Sequence, residues 1–172
     1  MSNIPNNNKY NIIYADPPWK YATGDDGHYP RMSFEELEAL NVPEIADTNS
    51  YLFLWGTAPM LQESLLILDI WGFWYKTVAF AWIKRNKINK QYRLGNGRYT
   101  RSNIEFCLLG TKGNLTIQSH TVNQIIDEPI RKHSQKPDIV RDRIVELLGD
   151  IPRIELFARS RHEGWDAWGN EV

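Results

Sequence analysis

A chain of 172 residues, 42% hydrophobic and 24% charged, is large enough to bury one core and too short for several domains. Twenty basic and twenty-one acidic side chains leave a formal charge of −1, which does not suggest a strong nonspecific attraction to polyanions. A single cysteine, Cys107, excludes a disulfide framework, no apolar run approaches a membrane span, and the Asn-rich start from Met1 to Asn11 has no secretory h-region. These features point to a soluble protein of the cytoplasm.

Apolar runs alternate with helical patterns along the whole chain, which predicts one α/β domain over 1–172. The first strand runs from Asn11 to Asp16. Ser33 with Glu36 three residues later forms a capping box for a short helix through Leu37 and Leu40. Tyr51 to Trp55 reads as a buried strand ended by Gly56. Thr57 then caps a helix with Pro59 in its first turn and Leu61, Leu65 and Leu68 along one face. Phe73 to Ile83 and Ile104 to Leu109 are further strands, and Leu115 to Ile117 reads as a short edge strand. Pro137 opens an amphipathic helix that turns Ile139, Val140, Ile144, Leu147 and Leu148 inward and ends at Gly149. Arg153 to Ala158 is the last strand, followed by a polar and aromatic tail. Of the seven tryptophans, Trp55, Trp71, Trp74 and Trp82 are expected in the core, and Trp165 and Trp168 are expected to close a ligand-side loop.

The chemistry concentrates at Asp16-Pro17-Pro18-Trp19, directly behind the apolar run Ile12 to Ala15. The lone pair of an amine on an aromatic ring is delocalised, so such an amine is a poor nucleophile. Asp16 and the carbonyl of Pro17 supply two acceptors for its two hydrogens, which favours a pyramidal nitrogen. Proline fixes φ and adds no competing N–H. Trp19 is expected to stack on a base taken out of its strand. The four residues therefore suit methyl transfer to the exocyclic amine of adenine, by positioning and electrostatics. The alternative is a strand that ends in a Pro-Pro turn beside a buried tryptophan.

The segment 84–101 carries Lys84, Arg85, Lys87, Lys90, Arg93, Arg98 and Arg101 with no acid, Tyr92 and Tyr99 interleaved, and a break at Gly95-Asn96-Gly97. It reads either as a solvated basic loop or as a clamp whose cations neutralise phosphates and whose aromatics stack on bases. His28, His120, His133 and His162 lack metal-site spacing, so no zinc or other metal site is expected. There is no GxGxxG turn.

Beyond the tetrad, Tyr29 with Met32-Ser33, Leu52 to Trp55, Trp82-Ile83-Lys84, Tyr99 with Glu105, Ser134 to Pro137 and Glu155 to Arg159 resemble segments of the MT-A-seventy family of adenine methyltransferases. The resemblance covers nearly the whole chain. It implies a Rossmann-like class I methyltransferase sheet in permuted order, with the catalytic motif before the cofactor motif, and S-adenosylmethionine as methyl donor. It implies Asp16, Pro17, Pro18 and Trp19 as catalytic residues. Asp16 also meets the donor's amine, Lys136 its carboxylate, and Arg159, His162, Asn170 and Glu171 its methionine and ribose side. The acceptor side is expected from Trp19, Tyr29, Lys87, Lys90, Arg93, Tyr99 and Arg101. From the family's layout, Asn123 to Asp127 is expected near the donor's adenine.

The compact chain favours DNA over RNA as the acceptor, with a homodimer or a heteromeric partner compatible with either. Two other classes compete. A non-catalytic nucleic-acid-binding subunit would be favoured by decay of the tetrad, which is intact. A methyltransferase for small molecules or proteins would share the donor side and have no use for the basic aromatic loop.

Overall fold

The structure, a computed structural model, describes residues 4–5, 7–20, 30–97, 99–131 and 135–172. Tyr29 therefore lies outside the described residues. Seven strands form one sheet: β1 (Tyr10–Ala15), β2 (Ala46–Gly56), β3 (Trp74–Arg85), β4 (Ile104–Lys112), β5 (Ile125–Pro129), β6 (Arg153–Leu156) and β7 (Asp166–Trp168), in the order β5-β3-β4-β2-β1-β6-β7. β4 runs antiparallel to both its neighbours, and every other neighbouring pair is parallel. One end of the sheet therefore gathers the carboxyl ends of six strands and the amino end of β4.

Strand periodicity splits the side chains between two cores. Ile13, Ala15, Leu52 and Leu54 face one way, under α1 (Phe34–Glu38), α2 (Val42–Ile45) and α3 (Leu61–Ile70). Ile12, Tyr14, Phe53 and Trp55 face the other, under α4 (Ile139–Leu148), which contributes Val140, Ile144 and Leu148. Helices thus cover both faces. The capping box forms as read, with Ser33 N–H on Glu36 and Glu36 N–H on Ser33 Oγ. Among the described residues, no helix is long and apolar enough to cross a membrane.

Several expectations are corrected. Leu115 to Ile117 is not a strand; after the left-handed turn at Gly113 (φ 62°) these residues find no ladder, and Leu115 and Ile117 pack on the α4-side core. Residues 125–129 are an edge strand, with Asp127 taken by Arg85 at 2.5 and 2.6 Å. Trp74 is not in the core: it opens β3 before β5 begins to pair, and it is 75% exposed. Trp165 and Trp168 are buried, edge-on to Tyr14 and Phe157 respectively.

Candidate active site

Asp16 is the first residue beyond β1, at the sheet end where strand carboxyl termini converge; open α/β sheets bind ligands outside those termini. Two cavities of about 140 and 210 Å³ meet there and share Asp16, Lys136, Phe157, Arg159 and Glu171. The first is walled by the whole tetrad, Gly56, Glu105 and Asn170; the second continues toward Tyr14, Arg141 and Glu155.

The tetrad is held by its own backbone. Trp19 N–H donates to Pro17 O at 2.9 Å, so one lone pair of that carbonyl is used and one remains. Met32 N–H donates to Pro18 O and Lys20 N–H to Met32 O, tying the turn to the segment that starts at Pro30. Trp19 is held from the core side. Its indole is 6% exposed, belongs to the α1–α3-side core and donates Nε1–H to Trp55 O at 3.1 Å. It lines the cleft as a fixed wall.

A row of alternating charges runs through the cleft floor. Lys136 Nζ lies 2.6 Å from Asp16 and 3.3 Å from Glu105, and Lys84 pairs with the other oxygen of Glu105. Lys136 also sits 5.4 Å over the Trp55 ring. Burial pushes the Asp16 carboxyl above its ordinary value, and Lys136 offsets only part of that rise. For Glu105 burial acts in the same direction, but Lys136 and Lys84 together hold it below the ordinary range. Burial disfavours the Lys136 charge, yet the two carboxylates outweigh it and raise its affinity for the proton. Sequence reasoning assigned no site role to Glu105, because the ion pair joins residues 31 apart on different elements.

Lys136 should consequently be costly to remove. With its side chain 10% exposed, Lys136→Met leaves Asp16 and Glu105 facing each other without a shared cation, an expected loss of about 3–5 kcal/mol. Chemical denaturation of the two proteins checks this. A loss below about 1 kcal/mol would show that the row carries no structural weight.

The side of the cleft expected to take the donor is built by the link after β6. Phe157 takes a left-handed φ of 61°, a strained conformation for a residue with a side chain, and lines both cavities. Ala158 N–H then returns to Trp168 O at 3.0 Å. A Cβ on Gly169 would lie 2.3 Å from Ala158 O, so only glycine lets the tail bring Asn170 and Glu171 over the cleft. Arg159 lies 3.7 Å from Glu171. His162 lines neither of these two cavities, and its Nε2 pairs with Ser160 Oγ at 3.0 Å.

The expected acceptor residues Lys87, Lys90, Arg93, Tyr99 and Arg101 all lie exposed on the arm between β3 and β4. Among the described cations of the basic run, Lys84 and Arg85 are neutralised by Glu105 and Asp127.

The MT-A70 family model matches residues 10–171. The chain is 36% identical to the Type II methyltransferase M.MunI of Mycoplasma sp, covering 95% of this chain and 78% of that protein. It is 32% identical to an N(6)-adenosine-methyltransferase MT-A70-like protein of Arabidopsis thaliana and 30% identical to the human N(6)-adenosine-methyltransferase catalytic subunit METTL3. Each of those alignments covers 95% of this chain but only 24% and 28% of the relative, so the chain spans about a quarter of their length. With nearly all of its residues inside that model, and with the tetrad lining a cleft at the sheet's carboxyl end, the chain belongs to the MT-A70 family of S-adenosylmethionine-dependent adenine-N6 methyltransferases.

Proposed function

We propose that this chain methylates the N6 amine of adenine in DNA, on a Rossmann-like sheet whose catalytic motif precedes its cofactor motif. The observation that carries the reading is Asp16-Pro17 on the cleft wall, with the carboxylate buried against Lys136. The cleft's donor set suits S-adenosylmethionine: Asp16 and Glu171 can accept from its ammonium and ribose hydroxyls, and Arg159 can meet its carboxylate. Lys136 reaches that carboxylate only while also serving Asp16 and Glu105. Once bound, the donor supplies an electrophilic methyl carbon on a sulfonium.

The rest is done by the chain. Asp16 accepts one hydrogen of the adenine amine, and the remaining lone pair of Pro17 O accepts the other. Those bonds turn the nitrogen lone pair out of the ring plane. Because burial raises the proton affinity of Asp16, the carboxylate also suits the proton that the amine sheds on methylation. Trp19 and Pro18 flank the base as fixed walls, which limits its motion at no ordering cost during the reaction.

The DNA preference is supported by the match over most of a protein named as a Type II methyltransferase, against a quarter of those named for adenosine. Mass spectrometry of N6-methyladenine in DNA and RNA, from cells expressing the chain or its Asp16→Ala variant, tests it. Modified adenine is expected in DNA of the first cells alone. Modification confined to RNA would reject the DNA reading and keep the enzyme.

A further inference from the structure

The arm between β3 and β4 carries a feature that its cations do not explain. Arg85 and Tyr92 pair in an antiparallel bridge, Asn86 N–H donates to Gln91 O at 2.8 Å, and the chain turns over residues 87–89, with Lys90 at a left-handed φ of 57°. Arg85 fastens the root of this turn. It forks onto Asp127 of β5, lies 4.0 Å over the Tyr92 ring and donates to Lys90 O at 3.1 Å. The tip is thus braced against the sheet. On it Ile88 is 95% exposed, more than any other large apolar side chain among the described residues, between Lys87 and Lys90.

A lone exposed aliphatic residue ordinarily needs no explanation. Here three circumstances coincide: the side chain stands on a braced turn, exposed cations flank it, and no acid lies between residues 84 and 101. The arm also leaves the same sheet end that holds the cleft, because its first residues follow the carboxyl end of β3 and Lys84 pairs with Glu105 of the cleft wall. Asp16 lines that cleft with 24% of its side chain exposed, and an enzyme that acts on the base of a duplex takes that base out of the stack. Apolar wedges entering a base step lower the cost of such extrusion, and flanking cations hold the phosphates beside it.

We propose, building on the DNA reading above, that Ile88 is a wedge that enters the base stack of duplex DNA beside the target adenine while Lys87 and Lys90 hold the adjoining phosphates. Its role is confined to paired substrates, since an unpaired adenine needs no wedge.

The test compares native and heat-denatured forms of one unmethylated genomic DNA as methyl acceptors, using the full chain. Ile88→Ala is expected to slow labelling of native DNA by about tenfold or more, leave denatured DNA within about twofold, and be rescued by Ile88→Leu. Equal losses on both forms, or none on either, overturn the wedge. A random-sequence duplex carrying 2-aminopurine gives a second readout that needs no turnover: fluorescence should rise with wild type and not with Ile88→Ala. Absence of that rise with wild type rejects the wedge. A wild type that raises the fluorescence yet labels neither DNA form rejects the DNA-methylation reading instead. Dissociation of an oligomer by Ile88→Ala in sedimentation would overturn the proposal in favour of a protein–protein role for this side chain.

Discussion

Asp16→Ala is expected to lower kcat by about a thousandfold or more, the scale set by removing a group that acts on developing charge in a dry site. The fold should survive. Asp16 is one of two anions on Lys136, and Glu105 remains 3.3 Å away to hold the cation, so the buried charge is not orphaned. That asymmetry separates this variant from Lys136→Met, which removes the shared member and should unfold earlier. Asp16→Asn adds a finer test, because it keeps the shape and one acceptor oxygen but removes the charge. If charge matters for taking the amine's proton, Asn should be nearly as damaging as Ala; if geometry alone matters, it should retain much of the rate. The pH profile carries the same information. Activity needs the ionised carboxylate, whose proton affinity is raised by burial, so the acid limb of kcat/KM should lie above the usual aspartate range and vanish as pH rises through it. The linkage to stability has the opposite sign. A folded-state value above the unfolded one favours the fold below the unfolded value, and that contribution is lost as pH rises through the folded one. Turnover by Asp16→Ala at the wild-type rate would remove Asp16 from the reaction.

What the sequence disclosed follows from how local each feature is. The end of β1 was legible because an apolar run meets Asp16-Pro17-Pro18 within one residue. The capping box and the α4 stripe were legible for the same reason: their partners lie three or four residues away. β5 was not. Ile125-Ile126-Asp127-Glu128-Pro129 has no alternation, and its extended form comes from its partner, with Ile83 opposite Asp127 and Lys84 opposite Glu128. β7 is likewise a three-residue strand made by β6. Leu115 to Ile117 shows the converse, an alternating pattern with no neighbour to pair with. In the site, the resemblance marked Lys136 but its counter-ions were hidden, since Asp16 and Glu105 lie 120 and 31 residues away. Trp19 was legible by type but not in posture. A tryptophan after two prolines can lie over a ligand or under it, and the accepting Trp55 carbonyl that decides the matter belongs to another strand.

Replacing Lys87, Lys90 and Arg93 together by alanine is expected to weaken DNA binding roughly tenfold to a hundredfold at low salt. The slope of log affinity against log salt should also become shallower by roughly 2–3, close to 0.9 for each phosphate no longer neutralised. All three side chains are exposed, so the fold has little to lose. Fluorescence anisotropy across a salt series reads both numbers. Lys84 and Arg85 are left in place because Glu105 and Asp127 already neutralise them, and because removing Arg85 would unfasten the arm from β5. Lys76 is the matched control. It is exposed near the start of β3, at the sheet end away from the cleft, so Lys76→Ala should leave the slope unchanged. Overall neutrality makes this comparison sharp. A protein of formal charge −1 has no diffuse attraction to a polyanion, so a slope that falls with three arm residues and not with Lys76 must come from a local electropositive surface. An unchanged slope would leave the arm a solvated loop and move DNA binding elsewhere on the protein.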